Sequence, residues 1–175
     1  MMKFFIVLLT LLITGGCASA AVADEDIDGG TTDYSNKKAP KIIKSENIVR
    51  FKLITEDDSI EYPAPSGRYV MEIVPAEKGF NMSLTCGEIK KSRIVGSKVM
   101  KQLQAVIKKY NVASINGHSK FNTALGNYLS LDIVYDSGET IHADAEGGCD
   151  VVPDNWNQMW FIDFFFDKLG IKYEK

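Results

Sequence analysis

A chain of 175 residues with 45% hydrophobic and 25% charged residues has the size and make-up of one folded domain behind a short leader. Its formal net charge of −3 argues against general nucleic-acid binding and gives no reason for adhesion to anionic lipid. Losing Lys3 with a leader makes the remainder one unit more negative.

Met1-Met2-Lys3 is a short, positively charged start, and Phe4 to Ile13 is apolar apart from Thr10. That run is too short to span a bilayer, which takes about 20 apolar residues, but it suits the core of a secretory signal peptide. Thr14-Gly15-Gly16-Cys17 follows. Small residues before a cysteine resemble the lipobox of bacterial lipoproteins, with Thr14 where that motif usually has Leu. The resemblance implies cleavage before Cys17 and diacylation of that residue, leaving residues 1–16 as signal peptide. Ala18, rather than Asp, follows Cys17, which resembles the outer-membrane sorting pattern of bacteria with two membranes. Ordinary cleavage after Ala20 or Ala23 is the competing expectation, and it makes the protein soluble and secreted or periplasmic.

With Cys17 acylated, Cys86 and Cys149 remain. In an oxidising compartment two leftover cysteines read as one disulfide, and closing so long a loop contributes roughly 4 kcal/mol on a chain-entropy argument. Two unconnected buried thiols are the alternative. From Cys17 to Asn47 the chain reads as a lipidated cysteine and flexible tether. Asp24, Glu25, Asp26 and Asp28 are followed by Gly29-Gly30-Thr31-Thr32 and a polar stretch with Pro40. Little there can build a core, and about 25 such residues reach roughly 30 Å.

The folded domain is expected over 48–175. Val49, Phe51 and Leu53 alternate with Arg50 and Lys52, which predicts a strand over Ile48–Thr55. Pro63-Ala64-Pro65-Ser66-Gly67 is a turn, Arg68–Val74 a second strand, and Phe80, Met82 and Leu84 mark a third that carries Cys86. A helix is expected from Ser97, as N-cap, to Tyr110, with Val99, Leu103, Val106, Ile107 and Tyr110 on one stripe and Asn111 in the left-handed exit position. Lys108 and Lys109 suit its C-terminal dipole. Two further strands flank Asp136-Ser137-Gly138. A three-residue loop with left-handed Gly138 pairs Ile133 with Ile141 and Leu131 with Ala143, keeping one face apolar. A second helix, Asn155–Leu169, is rich in aromatics and stopped by Gly170. The expected fold class is α+β, a mainly antiparallel sheet of about five strands with two helices packed on one face.

A leader ending in cysteine, a tether, three strands, a Lys-rich helix, Leu131-x-Ile133-x-Tyr135-Asp136-x-Gly138-Glu139-x-Ile141 and a Pro-led aromatic helix together resemble uncharacterised bacterial lipoprotein domains of unknown function. The resemblance covers about Ile48–Leu169 and implies an exported, anchored domain.

The chosen register puts Asp132 across from His142 and Ser130 across from Asp144, with Glu146 further along the same face. Asp132, His142, Asp144 and Glu146 are the candidate metal ligands, and Ser130, His142 and the aspartates also offer a Ser-His-Asp arrangement. The plain alternative is the wet face of an antiparallel hairpin. His118 reads as exposed. The aromatics of the second helix read as core, or else as a ligand groove. Gly147-Gly148 lacks the Lys-Ser/Thr and strand-to-helix setting of a phosphate loop. The leading expectation is a non-enzymatic, lipid-anchored domain of the cell envelope that binds a protein, peptide or envelope ligand, without cofactor. The anchor places it on the outer membrane if the source has one. The alternatives are a small envelope enzyme or metal-binding protein using Asp132, His142 and Asp144, and an inhibitor of a secreted hydrolase that inserts the Pro63–Arg68 loop.

Overall fold

The computed structural model describes residues 30–57 and 65–173. Cys17, the leader and the alternative cleavage points after Ala20 and Ala23 lie outside the described residues, as do Pro63 and Ala64 of the proline loop.

Among the described residues eight strands form one sheet: β1 (Thr32–Asp33), β2 (Ile48–Asp57), β3 (Tyr69–Pro75), β4 (Phe80–Cys86), β5 (Ile89–Val95), β6 (His118–Phe121), β7 (Asn127–Tyr135) and β8 (Thr140–Gly147). Their order is β1-β6-β8-β7-β2-β3-β4-β5. The expected sheet of about five strands is therefore corrected to eight, and the sheet is mixed, because β6 pairs with β8 in parallel. The class remains α+β. The missed strands lack the period-two signal. β5 is an edge strand with Lys90, Lys91, Ser92, Arg93 and Ile94 all exposed, the charged pattern that keeps an edge from recruiting other chains. β1 and β6 are two and four residues long and are specified by their partners.

Where alternation is strong, the pairing follows it. Phe51 and Leu53 of β2, Tyr69, Met71 and Ile73 of β3, and Leu131 and Ile133 of β7 are fully buried on one face. Ile133 pairs with Ile141 and Leu131 with Ala143, and Gly138 closes the three-residue turn at φ +83°. A two-residue loop would have turned Ile141 and Ala143 to water.

The buried face carries two helices. α1 (Ser97–Lys109) buries Met100, Leu103, Gln104 and Ile107. Its N-cap is Gly96 rather than Ser97, with no side-chain cap. Asn111 leaves it left-handed at φ +50°. α2 (Met159–Leu169) starts four residues later than the Asn155 expected from the sequence, because Pro153–Gln158 is spent on turns closed by Trp156 N–H to Pro153 O and Met159 N–H to Asn157 Oδ1. It buries Phe161, Ile162, Phe164, Phe165 and Phe166, each worth roughly 1.5–3 kcal/mol. Phe51 of β2 lies 5.1 Å from Phe161 and 5.6 Å from Phe165, ring centre to ring centre. The aromatic run of α2 is therefore mostly core. Tyr110 stacks on Trp160 at 4.2 Å and ties the helices together. Gly170, left-handed, ends α2, with Ile171 N–H returning to Phe166 O.

Residues 34–47, expected in the tether, are instead a strap laid along the sheet. Tyr34 N–H donates to Ser119 O and Asn36 N–H to Gly117 O, while Lys44 and Ser45 N–H both donate to the Glu139 carboxylate. Asn116, 4% exposed, is the central fastener. Its Nδ2 donates to Pro40 O (2.9 Å) and Thr140 O (3.0 Å), and its Oδ1 accepts from His142 N–H (2.8 Å). Polar composition did not leave this stretch without partners, because the sheet supplies them.

The expected Cys86–Cys149 bridge is not formed, and both are free thiols, Cys86 buried and Cys149 exposed. Cys86 ends β4, whereas Cys149 follows β8, four strands away in the sheet order. Four strand spacings amount to about 19 Å, while a disulfide needs Cα atoms within about 7 Å.

Candidate functional site

The face of the sheet turned away from the helices carries Arg50, Lys52, Glu72, Asp132, His142 and Asp144. The register juxtaposes Asp132 with His142 and Ser130 with Asp144, as the alternation predicts. The side chains then part. Asp132 pairs with Arg50, Lys52 with Glu72 at 3.0 Å, and His142 Nε2 with Asp144 Oδ2 at 2.7 Å. Among the described residues, no group of three metal-ligating side chains comes together, and no hydrogen bond joins Ser130 to His142. Neighbours on this face satisfy one another, and such exposed pairs contribute at most about 1 kcal/mol each. His118 is not simply exposed. It is half-buried, with Nε2 2.6 Å from Val151 O, and pins the 3₁₀ turn Cys149–Val151.

Glu146 has a different setting. It pairs across the sheet with Tyr128, and Tyr128 pairs with Glu56 of β2. This row runs along the end of the open face. With Arg68 and the loop 122–127 it lines a cleft of about 480 Å³. The Arg68 guanidinium lies 4.2 Å from the centre of the Tyr128 ring. Leu125, at 95% exposure, stands on the loop above.

The loop is held by its own polar residues. Asn122 Oδ1 accepts from Ala124 N–H (3.0 Å) and Gly148 N–H (2.9 Å), and Asn122 Nδ2 donates to Asp150 Oδ1 (2.8 Å). Thr31 Oγ donates to the other oxygen of Asp150. The Thr31 hydroxyl, then Asn122, hold the Asp150 carboxyl below the usual carboxylate range. Thr31, just before β1, is therefore fastened beside the cleft.

An aromatic platform, one guanidinium, two carboxylates and the side-chain amide of Asn127 converge here. Such a set can stack on a planar group, pair with charges of either sign, and hydrogen-bond an extended backbone. Among these, sequence reasoning had singled out Glu146, as a metal candidate. Tyr128 and Glu56 were reachable from the register, since both follow the polar-face parity of their strands. Arg68, in sequence the last residue of the loop assigned to the inhibitor alternative, and the loop 122–127, marked only by the breaker Gly126, are brought to Tyr128 by tertiary packing.

No protein-family model and no curated protein matches the chain. Among the described residues no helix is long and apolar enough to cross a membrane.

Proposed function

We propose that this protein is an exported, lipid-anchored and non-enzymatic domain of the cell envelope that binds a peptide segment of a partner protein in the cleft between Arg68, Tyr128 and the loop 122–127. The observation that carries the reading is the Arg68–Tyr128 platform flanked by Glu56 and Glu146 with Leu125 exposed above it. Aromatic and Arg side chains are the residues on which binding energy concentrates at interfaces. The mixture of charge signs suits a polypeptide better than a polyanion.

The address rests on the leader, where Gly15-Gly16-Cys17 resembles a lipobox. Cys17 lies thirteen positions before Gly30, and Thr31 is bonded to Asp150 beside the cleft, so an acyl anchor would sit close in sequence to the binding end.

Two experiments test the reading. Cys17→Ser should move the protein from the membrane to the soluble fraction, and unchanged fractionation rules out the anchor. A photo-cross-linking residue at Leu125, in the native envelope, should capture one defined protein that the same group at exposed Lys78 does not. Tyr128→Ala should abolish that capture. Equal capture from both positions would contradict a cleft-borne function.

A further inference from the structure

Asn116-Gly117 is the one Asn-Gly pair in the sequence. In such a pair the backbone nitrogen of the glycine can attack the side-chain carbonyl carbon of the asparagine. Glycine permits it because no Cβ obstructs the ring that forms. The nitrogen gives up its proton to solvent, the Asn116 Cγ–Nδ2 bond breaks, and ammonia leaves. Water then opens the cyclic imide at one of its two carbonyls, giving aspartate or isoaspartate. Water is the one co-reactant, and nothing is oxidised or reduced.

In the closed fold both reacting groups are held. Gly117 N–H donates to His142 O at 2.7 Å. The Asn116 amide is fixed at three points, to Pro40 O, Thr140 O and His142 N–H, and the residue is 4% exposed. Ring closure needs rotation about the Cα–Cβ and Cα–C bonds of Asn116, which breaks these four hydrogen bonds. The attack therefore waits on a local opening between the strap and β8.

We propose that Asn116 is a self-modification site protected by the fastened strap, and that its deamidation is a one-way release of that strap. The Nδ2 group supplies both hydrogen bonds that join Pro40 of the strap to Thr140 of β8. In the product an oxygen stands in its place, facing two carbonyl oxygens with no proton to give. A carboxylate at so buried a position adds a desolvation cost. Lys41 Nζ, which donates to Asn116 O, can offset the charge but cannot replace the lost donor. Isoaspartate acts on the backbone as well. It adds a carbon to the chain just before β6, whose register with β8 starts at His118 opposite Ala143. Asn36 N–H also donates to Gly117 O, so the same change pulls at a second strap contact. The chain then exists in a fastened and a released form, and the time spent open sets their ratio.

The test follows the peptide carrying Asn116 by mass spectrometry, in the full chain purified in detergent and held at neutral pH with and without denaturing urea. The amide should turn to acid in urea, and about 30-fold or more slowly in the folded chain, since four hydrogen bonds must break first even at the low end of their worth. Glu139→Ala unfastens Lys44 and Ser45 without touching Asn116, and should speed the folded reaction by roughly 5-fold. Asn116→Asp should lose amide-exchange protection over residues 34–47 while β3 and β4 keep theirs. If that variant fails to fold, the deamidated fraction separated from the folded parent carries the same readout. Equal rates in the folded and urea-unfolded chains overturn the proposal. So does a rate indifferent to Glu139→Ala, or a deamidated chain whose strap is protected as before.

Discussion

Arg68 lies over the ring of Tyr128, its guanidinium carbon 4.2 Å from the ring centre, although the two residues are sixty positions apart. Neither is in the core, and an exposed cation–π contact of this kind contributes about 0.5–1 kcal/mol. Arg68→Ala should therefore lower stability by less than about 1 kcal/mol in urea titration while weakening capture through Leu125. A loss of several kcal/mol would show the pair to be structural instead.

Asn116 should be the costliest polar residue in the strap region. Asn116→Ala leaves His142 N–H and the carbonyls of Pro40 and Thr140 without their partner, at about 2–4 kcal/mol in all. Gly117→Ala should act on the same contact by a different route. Its φ is +79°, and a Cβ there would stand 2.5 Å from both Ala39 Cβ and Asn36 O. Both variants should lose amide-exchange protection over residues 34–47 before they lose it in β3 and β4. Uniform loss across the sheet would contradict the strap as a separate fastening.

Acid should loosen the strap. Backbone N–H groups of Lys44 and Ser45 hold the Glu139 carboxyl below its ordinary value of 4.5, and Ser45 and Asn47 side chains hold Asp136 below 3.8. The folded chain thus binds these protons less tightly than the unfolded chain. Their stabilisation is complete above the ordinary values and is lost as pH falls through the lower folded ones. Protection factors for residues 44–47 should fall below about pH 4.5, and Glu139→Gln should flatten that dependence. An unchanged profile in the variant would refute the assignment.

The two described thiols should behave as strangers. Cys149 is exposed, whereas Cys86 is buried and its thiol is pushed up by that burial. In a Cys17→Ser background, maleimide should label Cys149 in the native protein and Cys86 only after unfolding. Recovery of a peptide linked through Cys86 and Cys149 from the native protein would contradict the strand order.

Much of the fold is legible in residues whose spacing has one solution. Leu131, Ile133, Ile141 and Ala143, with Gly138 between them, admit a single register that buries all four, and the structure has it. What was not legible depends on partners distant in sequence. β5 is charged on both faces because it is an edge, and Thr32–Asp33 is a strand only because Lys120 and Phe121 lie beside it. The disulfide expectation failed for the same reason, since cysteine counting carries no information on how many strands separate two residues. At the site, Glu146 and Tyr128 share a face that strand parity reveals, while Arg68 reaches Tyr128 only through packing.

The most direct measurement is the affinity of the partner captured through Leu125 for the intact protein and for Tyr128→Ala. Loss of a central aromatic contact should weaken binding by roughly 30-fold or more, with the melting temperature little changed. Equal affinity for the two proteins would contradict the cleft as the binding site.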